Sequence, residues 1–326
     1  RVDGSRGEGK LHLVWIVLSL ISAASYGTVA VMDKRLLDRH MPSLSSYFLW
    51  VGVATLIYGV IYLGISGFPV GVSATRIAVG ALSGLCWGGA IAMMFWGFKL
   101  QEVSRASAVL FTFPVFVALF ASIFLGESLA YGQWLAIGVV VFGALLMSLA
   151  EPTRTILMRV NRYWKTEGPR QRSQIRFTLA FPVLIGSSLL TAAGHLTGKY
   201  ALQELSVPMV TSMGFFGTAL VLAMFWRPRA FREIKQVVRS KEALLLLLLS
   251  EGILIPIAVT SMIAATKLGP ISLVATVAGT RPIFVFLYST VLSMPRIRLL
   301  NESLDRRTMF VKIASVAMII TGIMSL

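Results

Sequence analysis

Two charged residues lie where the chain is otherwise apolar. Glu251, in Ser250-Glu251-Gly252, directly follows the run Leu244 to Leu249, and Arg281 stands just before Pro282 in the stretch 270–293. A charge inside a lipid-facing segment costs about 2.5–3.5 kcal/mol on insertion scales, so each must face a protein interior, water or a partner. Helical rise puts Glu251 about 12 Å in from the basic segment before it. Arg281 lies about 17 Å in from the opposite side, hence about 13 Å from the face nearer Glu251 across a core of about 30 Å. The matched depths predict an ion pair. It either lines a substrate path, where it would couple to a proton or ion, or fixes helix register. Arg281 could also bind an anion directly, since its planar, permanently charged fork suits carboxylate or phosphate.

His195, in Gly194-His195-Leu196, falls about 24 Å from the basic face, too far along to join that pair. It reads either as a proton relay or as a satisfied interior histidine. Trp87, beside Gly84, Gly88 and Gly89, and Tyr26 and Tyr288 are candidate cavity-lining aromatics, with packing or an interface belt as the alternative. Gly80, Gly84 and Gly88 recur at the small-xxx-small spacing of tight helix packing. Lys34, Lys99, Lys199 and Lys267 end their segments and read as snorkelling cations. Glu127 and Gln133 read as turn or helix-cap residues.

The elements that must position these side chains follow from composition. Hydrophobic residues make up 56% of the 326-residue chain and charged residues 13%, about half the charge of an ordinary globular protein. Lipid is the expected solvent. The expectation is an all-α integral membrane protein of ten spans, near 12–32, 45–65, 77–98, 106–125, 131–150, 179–198, 207–226, 243–265, 270–293 and 310–326. Continuous apolar runs favour helices over an alternating barrel. Residues 1–11 read as a polar tail without a signal-cleavage pattern, opening on Arg1 rather than methionine. Residues 151–178, with seven Lys or Arg, read as a basic linker between repeats at 12–150 and 179–326.

The two halves resemble each other. Shifted by 168 residues, Lys99-Leu100 falls on Lys267-Leu268, Ser104 on Ser272, Pro114 on Pro282 and Phe116-Val117 on Phe284-Val285. Phe113 falls on Arg281. Glu127-Ser128-Leu129 then matches Glu302-Ser303-Leu304 after a short insertion, and both halves close on Met-Ser-Leu. Duplication follows. Five spans per copy make the second copy enter from the opposite side, an inverted repeat with a binding site expected near the midplane between halves. Linkers after odd-numbered spans carry 22 Lys or Arg and the remaining polar ends six. The positive-inside rule then puts both termini outside.

The net charge of +16 is spread in short runs between spans, which excludes a nucleic-acid surface as its explanation. One cysteine, Cys86, excludes an intrachain disulfide and a zinc cluster. No HExxH, CxxC, GxSxG or Walker A sequence is present, so neither an enzyme nor any cofactor or metal is expected.

The stretch Ser104 to Leu149 has a small-residue helix with Pro114, then Leu125-Gly126-Glu127, Gln133, and a helix with Gly138 and Gly143. It resembles the ten-span EamA-type branch of the drug/metabolite transporter superfamily, a likeness extending at low similarity from 12 to 326. The resemblance implies alternating-access transport of a small organic metabolite, often export, in a multi-pass protein of the inner or plasma membrane. It also implies cytoplasmic termini, opposite to the charge count. The expected solute carries a carboxylate or phosphate, as an amino acid does. Two fused halves remove the need for a dimer, so a monomer is expected, with membrane lipids as its surroundings. A lipid or headgroup flippase, with a cavity open sideways to lipid, and a non-transporting receptor or assembly subunit, with no central cavity, remain the alternatives.

Overall fold

The computed structural model describes residues 4–100, 109–149, 171–293 and 306–326, and all regular structure among them is helical. In chain order the helices are α1 (Gly4–Arg39), α2 (Leu44–Ser66), α3 (Ala74–Leu100), α4 (Phe113–Phe124), α5 (Tyr131–Leu149), α6 (Gln171–Ala201) and α7 (Val207–Ala223). Then follow α8 (Pro228–Val237), α9 (Lys241–Leu249), α10 (Ile255–Leu268), α11 (Ile271–Ala278), α12 (Arg281–Ser293) and α13 (Arg306–Met324). Helix α1 begins at Gly4 and α6 at Gln171, so helix continues into polar flanks at both places. Residues 101–108, 150–170 and 294–305, including Ser104 and Glu302, lie outside the described residues.

Among the described residues, six segments are long and apolar enough to cross a membrane: Leu13–Leu37, Leu44–Ser66, Ala74–Phe98, Ala180–Ala201, Lys241–Leu268 and Ile271–Tyr288. Helices α7 and α8 pass the same test together but are bent by 113°. Three shorter apolar helices, Phe113–Phe124, Tyr131–Met147 and Met309–Met324, complete the set. The protein is therefore a multi-pass helical membrane protein.

Arg227 to Lys241, expected as a plain polar linker, instead contains a helix. Ala230 and Val237 of α8 are buried, Arg227, Arg229, Arg232 and Lys235 are exposed, and Pro228 sits in the first turn, where its missing N–H costs nothing. A basic, amphipathic helix turned away from the span before it has the pattern of one lying along a membrane surface. The hydroxyl of Ser43, which caps α2, donates to Glu233 and ties α8 to that end of the bundle.

Interhelical packing runs between the halves. Helix α1 packs on α10 and α12, α3 on α6 and α7, α2 on α7, α4 on α6 and α11, and α5 on α13. Glycines make the closest of these contacts, as the small-residue spacing predicts. A Cβ on Gly84 would strike the Met213 carbonyl oxygen, one on Gly217 the backbone of Gly84, and one on Gly88 would lie 2.9 Å from Thr218 Cα. Gly143 and Gly322 do the same between α5 and α13, each against backbone of the facing helix. In lipid, where helices gain no hydrophobic free energy by meeting one another, this backbone proximity is the main source of helix–helix cohesion.

Pro114 and Pro282 do not kink continuous helices. Each lies in the first turn of a new helix, α4 after Thr112 and α12 after Thr280. Proline is tolerated there because that N–H has no intrahelical acceptor anyway. The two breaks adjoin: a Cβ on Gly279 would lie 3.3 Å from Pro114 Cγ.

A charged site at a broken span

The break after α11 places Arg281 at the start of α12. Gly27 lets α1 approach closely there, since a Cβ on it would lie 2.7 Å from Phe284 Cβ and 3.4 Å from the Arg281 carbonyl oxygen. The contact brings the Arg281 guanidinium over the ring of Tyr26, 4.0 Å from its centroid. That cation–π contact holds the fork flat and leaves its charge unneutralised. Arg281 Nε is sealed from solvent and has no hydrogen-bond partner.

His195 lies close by and is 4% exposed. Phe113 stacks parallel to its ring, with centroids 5.8 Å apart and planes 10° apart, and Trp87 meets it edge-on at 4.8 Å. Gly194 leaves room for Trp87, because a Cβ there would be 3.1 Å from the indole. Ser83 fixes the register by donating to the Gly194 carbonyl at 2.8 Å. His195 Nε2 is buried without a partner. An unpaired guanidinium and an unpartnered imidazole nitrogen within a largely aromatic wall make a place where an anion would be stabilised, since buried polar groups left unpaired carry a desolvation cost that a ligand can relieve.

The expected ion pair does not form. Among the described residues the ion pairs are Arg35–Glu242 and Arg76–Glu204, with His40 Nε2 3.7 Å from Glu242. Glu251, 3% exposed, faces Tyr47, whose hydroxyl lies 3.5 Å from Glu251 Oε1. Depth arithmetic fixes only height along the membrane normal, and the rotation of each helix sends the two side chains in different directions. Tyr288 also stays apart. It stacks on Phe284 at 6.4 Å, about 10 Å along α12 from Arg281.

Three polar residues of the interior were not singled out from sequence. Asp33 falls one residue beyond the expected end of the first span at 32, yet α1 runs on to Arg39 and Asp33 turns inward toward Tyr47. Tyr47, in the first turn of α2, is 3% exposed. Lys312 of α13 is 5% exposed, its Nζ 5.2 Å above the Phe286 ring. A continuous helical pattern running past Asp33 was the available signal for the first. The other two had none beyond a polar atom in a long apolar context.

Several polar residues hold the frame. Glu127 accepts from the backbone N–H of Ile271 at 2.8 Å and of Ser272 at 3.2 Å, and from the Ser272 hydroxyl at 2.6 Å. It thereby caps α11 from the other half of the chain, and Gln133 accepts from the Ala130 N–H at the start of α5. Lys199 does not snorkel to water: its Nζ donates to the carbonyls of Thr266 at 2.6 Å and Gly269 at 2.8 Å. Lys267 donates to the Leu205 carbonyl at 3.3 Å. Lys199 thereby caps the end of α10, whose last carbonyls have no intrahelical donors, and Lys267 ties down the turn that follows α6. The side chains of Lys34 and Lys99 lie outside the described residues.

Bundle, break and unpaired cation together define a class, a multi-pass helical membrane protein with a polar site inside it. Residues 13–149 match the model of the EamA-like transporter family, part of the drug/metabolite transporter superfamily. No curated protein matches the chain. A solved structure titled only "Crystal structure of protein" is similar at 15% identity with a TM-score of 0.67, covering 95% of this chain and 94% of that one. At that identity the likeness speaks to fold alone.

Proposed function

We propose that the protein is a secondary transporter that moves a small organic anion, or a solute carrying a carboxylate or phosphate, by alternating access, in the direction of export. The observation that carries this reading is Arg281: a guanidinium at a break in a span, stacked on Tyr26, with no acidic partner within ion-pair distance among the described residues. His195 and Trp87 form the adjoining wall. Broken spans in transporters put binding groups at mid-membrane, and a free guanidinium there recognises planar anions.

The same reading includes ten spans in two inverted five-span halves. It is supported by the paired contacts of corresponding helices, α1 on α10 as α6 on α3, and α1 on α12 as α6 on α4. The adjoining breaks before Pro114 and Pro282 support it too. The exposed basic face of α8 supports placing that end of the bundle at the cytoplasmic surface.

Thermal stabilisation of the purified protein by a panel of amino acids, sugar phosphates, nucleotide sugars, polyamines and lipid headgroups tests the proposal. A ligand at about 100 times its Kd adds about 2.7 kcal/mol if it binds only the folded state. The expected result is stabilisation by one class of carboxylate or phosphate compound, lost in Arg281→Ala. Stabilisation by polyamines alone, or by lipid headgroups alone, would overturn it.

A further inference from the structure

Toward the basic end of the bundle, about two helical turns along α1 from Tyr26, three polar side chains from three elements converge. Asp33 comes from α1, Tyr47 from α2, and Glu251 from a π-helical segment, Ser250–Leu254, between α9 and α10. The segment has a cause. Pro256 has no N–H to give the Gly252 carbonyl four residues back, and the Tyr58 hydroxyl donates to that carbonyl instead. The widened turn sets Glu251 inward, as single π turns do at functional sites.

The polar accounting at this place does not close. Tyr47 has one hydroxyl proton, lies 3.5 Å from Glu251 Oε1, and also faces Asp33. Asp33 Oδ1 is shut off from solvent with no partner, and the Ser250 hydroxyl, fully buried beside Glu251, has none either. No described cation lies within ion-pair distance of either carboxylate. Arg35 is engaged by Glu242, with Nε at 2.7 Å, and His40 Nε2 lies 3.7 Å from the same acid. Arg281 is held on Tyr26. Tyr58 is spent on Gly252. Two ionised carboxylates around a single O–H, away from water, would repel at the very place where charge is most costly. One added proton closes the network: a carboxyl O–H donates to the phenol oxygen, and the phenol donates to the remaining carboxylate.

We propose that Asp33, Tyr47 and Glu251 form a proton-binding site that holds one shared proton, separate from the anion site at Arg281, and that loading of this site couples transport to the proton gradient. The coupling clause rests on the transport reading; the proton site does not. Release of the proton leaves like charges facing each other across α1 and the π segment, which favours any conformation that separates them. Proton occupancy thereby biases two arrangements of the bundle.

Infrared spectroscopy of the full chain in detergent at neutral pH tests the site without any transported ligand. Wild type should show the C=O stretch of a protonated carboxyl group, shifting on exchange into heavy water. The band should vanish in both Asp33→Asn and Glu251→Gln, and should move in Tyr47→Phe, which removes the bridge and keeps the ring. Each variant is checked for a cooperative thermal transition, so that an unfolded sample is not read as a lost band. Absence of the band in wild type, or its survival unchanged in either single carboxylate variant, would overturn the proposal. In vesicles loaded with the ligand that Arg281 binds, an imposed pH gradient should drive movement in wild type and not in Glu251→Gln. Movement indifferent to the gradient, with the band intact, would overturn the coupling. A band with no movement of any ligand would sink the transport reading and leave the proton site standing.

Discussion

Two of the helix breaks among the described residues are built alike and furnished differently. At each, a helix starts with proline in its first turn, Pro114 in α4 and Pro282 in α12, and the two breaks touch. The residue before the proline is Phe113 in one and Arg281 in the other. Each reaches a long helix of the opposite half, Phe113 stacking on His195 of α6 and Arg281 on Tyr26 of α1. A ring-on-ring contact and a cation-on-ring contact occupy corresponding places, so the scaffold tolerates either. What differs is charge: only one break carries a fixed cation that a ligand can neutralise. With one charged and one apolar arm on similar backbone frames, the polarity of this interior resides in single side chains rather than in the breaks that place them.

Making the breaks alike gives the largest expected effect. Arg281→Phe copies the first break into the second, and should weaken binding of the anionic ligand on the order of 100-fold, the loss of a charge-assisted hydrogen bond of about 3 kcal/mol. Arg281→Lys should recover only part of that, because an ammonium keeps the charge and loses the planar fork. Ligand titration followed by thermal shift measures both, and undiminished affinity in Arg281→Phe would remove the functional asymmetry of the breaks.

Next in size is the support of the second break. Glu127→Ala removes three hydrogen bonds that cap α11 from the other half, and should cost about 1–2 kcal/mol of stability. Chemical denaturation in mixed micelles reads this directly. Phe113→Leu, which keeps bulk but removes the stack on His195, should cost about 0.5–1.5 kcal/mol and leave anion selectivity unchanged. A change of selectivity would mean that the two arms work as one site.

The smallest effect lies away from both breaks. The Ser73 backbone N–H, together with Arg76, holds the exposed Glu204 carboxyl below its ordinary range. A depressed folded value gives stability that is present above the unfolded pKa and lost as pH falls through the folded one. A thermal-shift series in acid should therefore show a slight loss in wild type that is absent in Glu204→Gln. An equal acid loss in both would assign that sensitivity elsewhere.

Much of the frame was legible because lipid imposes it. Long uncharged runs have few options other than helix, and Gly80, Gly84 and Gly88 on one face gave close packing before any partner was known. Glu127 and Gln133 read as caps because an acceptor side chain in a tight turn between helices finds orphan N–H groups to satisfy. The site was legible only in part. Arg281, His195, Trp87 and Tyr26 converge as a group, whereas Glu251 does not meet Arg281 and Tyr288 stands aside. Asp33 was hidden by its lysine and arginine neighbours at the edge of an apolar run.

What the sequence by itself determined is the class of molecule, since hydropathy, charge placement and spacing act along the chain and need no partner. It also determined which residues are costly to bury. Only the tertiary structure decided which of those residues meet. A pairing depends on the rotation of each helix about its axis and on local breaks such as the π segment before Pro256. These are set by backbone contacts between helices far apart in the chain, of which Gly27 against Phe284 and Gly84 against Gly217 are the clearest cases.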